Sequence, residues 1–170
     1  MTTYSGTSER VITDLTLFAD YHQLYLMDDA EVDLAPERWT TDDMLRRTVF
    51  GGDHIVVFTA RNMDVPLRVE ILPEAPPLEL TGWDHIVDGA IRCASGRLIA
   101  MGCTDFEPDA ARLPLAPGTY RARVSMTGLD SLSEDGLDGE DRYRVQFWPG
   151  PPQETRVRRM HDPEAGPDLP

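Results

Sequence analysis

Apolar and polar positions alternate most cleanly between residues 113 and 148. Tyr120, Ala122, Val124 and Met126 interleave with Arg121, Arg123, Ser125 and Thr127. Tyr143, Val145 and Phe147 interleave with Arg142, Arg144 and Gln146. Successive side chains of a strand point to opposite faces, so each segment reads as a strand with one apolar face and one polar, partly basic face. Residues 130–141 lie between them, acidic and loosened by Gly136 and Gly139. Together these segments predict a β-hairpin with an acidic tip.

Similar patterns recur along the chain. Residues 1–9 are small and polar and read as a frayed end. Residues 11–18 alternate as a strand. In residues 21–27, Tyr21, Tyr25 and Met27 oppose His22, Leu24 and Leu26, which predicts burial on both faces. Residues 30–39 read as a loop containing Pro36 and Trp39. The β-branched run 54–60 reads as an interior strand, and Arg61-Asn62-Met63-Asp64 as a turn. Residues 65–72 form a further strand, with Pro66 placing its start at an edge or bulge. Residues 78–82 read as a short strand and turn. In residues 83–94, Trp83, His85, Val87, Gly89, Ile91 and Cys93 share one face. With residues 96–103 this segment predicts a second hairpin, turning at Ser95-Gly96. A short strand at 112–115 and a turn at Ala116-Pro117-Gly118 lead into the first hairpin.

Only residues 40–47 have helical character. Thr40 can cap the N-terminus, Asp43 completes a capping box, and Arg46 and Arg47 sit where the helix dipole favours cations. Eight to ten strands, one short helix and no βαβ rhythm predict an all-β, antiparallel β-sandwich, with closure toward a barrel as the alternative. The expected organisation is one domain over 1–148. A Pro-rich, charged and mostly irregular tail follows over 149–170, with Arg156, Arg158 and Arg159 placed to fold back onto the acidic body.

The 170 residues are 41% hydrophobic, enough for a real core, and carry a formal net charge of −14. That charge argues against direct binding of nucleic acid or anionic membranes and in favour of basic partners. Cys93 and Cys103 would not face each other in the predicted hairpin, so both read as free thiols, which fits a reducing compartment. The first residues lack the pattern of a signal peptide, and no apolar run approaches a bilayer span. The expected location is cytoplasmic.

Candidate chemistry is sparse. His22, His54, His85 and His161 show no metal-ligand spacing with one another or with cysteine. Convergence of His22, His54 and His85 on one pocket would make the chain a small-molecule- or metal-binding β-barrel, or an enzyme. The acidic loop departs from the order of oxygen ligands in an EF-hand, so no metal or cofactor is expected there. There is no nucleophile elbow and no phosphate-binding glycine loop. What remains is a surface: Asp130, Glu134, Asp135, Asp138, Glu140 and Asp141 as the main contact with a basic partner. Further acids lie at Asp28, Asp29, Glu31 and Asp33, at Asp42 and Asp43, and at Asp105, Glu107 and Asp109.

Several segments resemble the competence protein J family, small bacterial proteins that inhibit a DNA-entry nuclease. They are Asp20-Tyr21-His22-Gln23-Leu24-Tyr25-Leu26, Trp39, Arg61-Asn62 before an apolar strand, residues 87–91, and Leu113-Pro114-Leu115-Ala116-Pro117-Gly118-Thr119-Tyr120. They occur in order across roughly residues 12–148. The resemblance implies a β-sandwich with a protein partner, such as a nuclease, and makes an inhibitor or immunity role the expectation. The loop at 130–141 and the proline-rich tail extend beyond the family pattern.

Overall fold

The computed structural model describes residues 9–30 and 39–162. Most of the expected frayed start, most of the loop 30–39 with Glu31 and Asp33, and the end of the tail lie outside the described residues. Among the described residues, eleven strands form two sheets. The first holds β1 (Val11–Phe18), β5 (Asp64–Ile71), β6 (His85–Cys93), β9 (Gly118–Thr127), β10 (Arg142–Pro149) and β11 (Arg156–Arg159), in the order β1-β5-β10-β9-β6-β11. The second holds β2 (Gln23–Asp28), β3 (Thr48–Phe50), β4 (His54–Phe58), β7 (Arg97–Gly102) and β8 (Ala111–Pro114), in the order β3-β4-β2-β7-β8. Neither sheet closes on itself, so the architecture is an open sandwich and not a barrel.

The core lies between the sheets. Leu24, Leu26, Ile55, Val57 and Leu98 from the smaller sheet meet Leu67, Val69, Val124, Tyr143, Val145 and Phe147 from the larger. The strict alternation of β9 and β10 accounts for this, because it delivers every second side chain to the same side. The hairpin forms as its pattern predicts, with Tyr143 opposite Met126 and Phe147 opposite Ala122. β2 is buried on both faces. Its Tyr25 and Met27 join Val56, Phe58 and Met101 in a second apolar cluster on the outer side of the smaller sheet, with Trp39 packed against it.

Three details depart from the pattern reading. β6 and β7 are not a hairpin: β6 pairs with β9 and β11, while β7 pairs with β2 and β8. The chain passes from one sheet to the other at Ser95-Gly96. Asp28 organises this corner, its buried carboxylate accepting from the Ala94 and Ser95 amides at 2.9 and 3.1 Å and from the Ser95 hydroxyl. Alternation assigns a face to each residue but does not choose the neighbouring strand. Second, β10 runs parallel to β5, and β5 is interior. Pro66 is tolerated because the ladder with β10 begins one residue later, at Leu67. Third, residues 78–82 form no strand, only a turn at 81–82.

Within the tail, β11 adds to the edge of β6, and Arg158 approaches Asp88 at 3.8 Å. Both cysteines are free thiols, Cys93 buried and Cys103 half-buried. No helix among the described residues is long and apolar enough to cross a membrane.

Candidate functional site

The acidic tip of the β9–β10 hairpin is a built loop. The Ser133 hydroxyl donates to Asp135 at 2.6 Å and accepts from the Asp138 amide at 3.0 Å. The Ser131 hydroxyl accepts from the Glu140 amide and donates to the Gly128 carbonyl. Gly128 has φ 71°, and a Cβ there would stand 2.5 Å from the Glu140 carbonyl oxygen, so only glycine fits where the two arms cross. The Ser133 hydroxyl and the Leu137 amide together hold the Asp135 carboxyl below its usual range.

The six acids proposed as a contact do not share one environment. Glu134, Asp138 and Glu140 are exposed, and among the described residues their carboxylates take part in no hydrogen bond or ion pair. Asp135 is exposed but serves the loop's own turn. Asp130 faces the His161 ring at 3.1 Å. Asp141 has no solvent exposure. It pairs with Arg61 and accepts the Tyr143 hydroxyl at 2.7 Å, so it anchors the loop and cannot meet a partner. Its phase was the available signal: Asp141 lies two residues before Tyr143, on the inward-facing register.

The loop packs against other segments of the same end of the sandwich. The Ala60 amide donates to Tyr143, and the Leu129 amide to Asp84. Residues 20–22 form a 3-10 turn in which Tyr21 and His22 take φ values of 53° and 60°. Left-handed backbone is uncommon in a non-glycine residue, and two in succession mark a locally strained turn. It is held by the His22 amide on the Ala19 carbonyl and the Thr59 amide on the His22 carbonyl, and the His22 ring donates to the Thr59 carbonyl at 3.1 Å. The Thr104 hydroxyl ties the segment after β7 to Asp20. The helix α1 (Thr41–Arg46) carries its predicted capping box and places Met44 at the same end. Between Tyr21, His22, Trp39, Met44, Phe58 and Leu132 lies a hollow of about 450 Å³. No local sequence pattern marks the position of this hollow.

Asp28 and Asp29 lie at the opposite end and are occupied by the β6–β7 corner, Arg97 and Arg112. The three strand histidines do not assemble a pocket. His54 starts β4 and meets Asp53, whereas His22 bonds Thr59, just past the other end of β4. His85 is fully buried and donates to the Arg46 carbonyl. No group of three potential metal ligands exists among the described residues. A larger groove of about 870 Å³ runs between Phe50, Ala90, Arg92, Thr119 and residues 152–155, without a cluster of converging polar groups.

These features define a class: an all-β sandwich of two open sheets, with an acidic, partly apolar surface at one end. No family model and no curated protein matches the chain. Among solved structures, the chain is similar to ComJ, inhibitor of the DNA degrading activity of NucA, from Bacillus subtilis. The TM-score is 0.62 at 11% identity, covering 82% of this chain and 96% of that one. It is also similar to the protein described as crocagin biosynthetic gene J, with a TM-score of 0.59 at 17% identity over 84% of this chain and 99% of that one. The resemblance to competence protein J seen in the residues therefore extends to the fold.

Proposed function

We propose that this chain is a non-enzymatic binding protein that neutralises a basic protein partner, a nuclease being the favoured class. The observation that carries the reading is the hydrogen-bonded loop at the hairpin tip, which presents Glu134, Asp138 and Glu140 without partners among the described residues. Carboxylates carried on a hydrogen-bonded loop backbone, and not engaged by cations of their own chain, attract a basic surface without first breaking an internal pair. The fold shared with a nuclease inhibitor supports the choice of partner class. The two free thiols accord with a partner met in a reducing compartment, the cytoplasm.

The test uses a peculiarity of composition: all 16 basic residues are arginine. A carbodiimide therefore couples the chain's carboxylates to a partner's lysines and to few amines of its own. Coupling in an extract of the source organism, at low and at high salt, should yield a basic protein whose DNA-degrading activity falls when the purified chain is added. The triple variant Glu134→Lys, Asp138→Lys, Glu140→Lys should lose both coupling and inhibition. Unchanged inhibition by the variant would overturn the assignment of the loop, and a captured partner that is acidic would overturn the function.

A further inference from the structure

Several large apolar side chains are exposed where the acids are. Phe18, Tyr21, Met44, Met63, Phe106 and Leu137 all lie on the segments that gather at the loop end, with Tyr21 68% and Phe106 70% exposed. Phe18 ends β1 opposite Asp64, the Ala19 amide bonds the Met63 carbonyl, and Thr104 links the Phe106 segment to Asp20, so these residues are neighbours by construction. Aromatic residues and methionine within a charged rim have the composition of an interface centre.

The acids alone would make a weak contact. An exposed ion pair adds little to affinity and is screened over about 8–10 Å at physiological salt. Carboxylates therefore accelerate encounter, while residence depends on desolvated apolar anchors. The hollow beside the loop has the size and lining for such an anchor. Its floor is the buried Phe58, with Trp39 edge-on to it at 5.3 Å. Leu132 of the acidic loop forms one wall, and the strained Tyr21-His22 turn forms another. Arg47 also lines the hollow, and its guanidinium has no ion pair among the described residues. A cation is thus disfavoured inside, while Glu134, Asp138 and Glu140 favour cations outside.

We propose that an aliphatic or aromatic side chain of the basic partner inserts into this hollow, flanked by lysines or arginines that face the acidic loop. The inference rests on the reading of the chain as a binder of a basic protein, and adds that the strength of the contact resides in Tyr21, Trp39 and Leu132.

The probes are three short peptides titrated into the full ¹⁵N-labelled chain. One has a leucine between two lysines on either side, the second has glycine in place of leucine, and the third has glutamates in place of lysines. The leucine–lysine peptide should bind at least about tenfold more tightly than the glycine peptide and shift the Trp39 indole resonance. Trp83 and Trp148, on the outer face of the larger sheet, should not move. Tyr21→Ala and Leu132→Trp, which remove a wall and fill the space, should each erase the advantage of leucine. Equal binding of the two lysine peptides would overturn the anchor and leave the electrostatic reading standing. Equal binding of the lysine and glutamate peptides would overturn the basic partner while the hollow stood. Binding of no peptide at millimolar concentration would overturn both.

Discussion

The Tyr143 hydroxyl donates to the Asp141 carboxylate at 2.7 Å, inside the protein, and accepts the Ala60 amide at 2.7 Å. Arg61 completes the set by pairing with the same carboxylate. Burial, and then the adjacent Asp141 charge, push the Tyr143 hydroxyl far above its ordinary range, so it remains a donor at every physiological pH. This cluster fastens the root of the acidic loop to the turn after β4. Tyr143→Phe should cost about 1–3 kcal/mol, because a buried amide and a carboxylate each lose a partner. Asp141→Ala should cost about 3–5 kcal/mol by leaving Arg61 uncompensated. Asp138→Ala, three residues away but exposed, should stay within about 0.5 kcal/mol. Urea unfolding of the three variants checks the order, and an Asp141→Ala as stable as Asp138→Ala would refute it.

The corner at Ser95 gives a second prediction. Burial opposes the charge of Asp28, but hydrogen bonds from the Ser95 hydroxyl and the Ala94 and Ser95 amides outweigh it and hold the carboxyl below its usual range. Asp28→Ala would orphan those donors at the point where the chain changes sheets. A loss of about 2–4 kcal/mol is expected, and hydrogen exchange at Ala94 and Ser95 should accelerate before exchange in β9 does. Exchange that rises equally everywhere would show that Asp28 contributes to general stability and not to the corner.

On the outer face of the larger sheet, Arg123 donates to both oxygens of Asp88 at 2.8 and 3.1 Å, and both side chains are buried. Its guanidinium also lies 5.4 Å from the centre of the Trp148 ring. Asp88→Ala should destabilise by about 3–5 kcal/mol, since it strands a buried guanidinium. Arg123→Met added to it should recover a large part of that loss, because the apolar replacement no longer needs a partner. A double-mutant cycle measures the recovery, and strictly additive losses would disprove the coupling.

The residues that could be read in advance are those whose neighbours are local. Tyr120 to Met126 and Tyr143 to Phe147 show their faces by period two, and Thr40 with Asp43 shows its capping box, because both signals depend on adjacent positions. The β6–β7 crossing was not legible, since the same alternation suits a hairpin arm and a strand that leaves for the other sheet. The contacts that separate them, among them the Ser95 amide on Asp28, come from residues far off in sequence. The acidic loop was visible as charge, and the phase of Asp141 against Tyr143 marks it as inward-facing, but the Arg61 that meets it is distant in sequence. The hollow was hidden for a similar reason. Residues 21–27 look like one strand, yet β2 begins at Gln23, and Tyr21 and His22 take a left-handed turn with no glycine to announce it.

His85 carries the last prediction, a pH dependence. Its Nε2 donates to the Arg46 carbonyl at 2.6 Å, and its Nδ1 accepts the His161 amide at 3.0 Å, so the bonds require the neutral ring. Burial lowers its pKa from 6.5 to about 4, and the nearby charges of Arg47 and His161 act in the same direction. Between those values the unfolded chain binds a proton that the folded chain refuses. The contribution is therefore complete above pH 6.5, falls as pH drops toward 4, and levels off below, by roughly 3 kcal/mol in all. Because His85 bridges the Arg46 carbonyl and the His161 amide, acidification should first loosen the segment after β11 from α1. His85→Gln can donate and accept without titrating. Its stability should vary less between pH 6.5 and 4 than that of the native chain, after both have been followed by urea unfolding. Parallel curves for the two proteins would assign the acid sensitivity to the carboxylates instead.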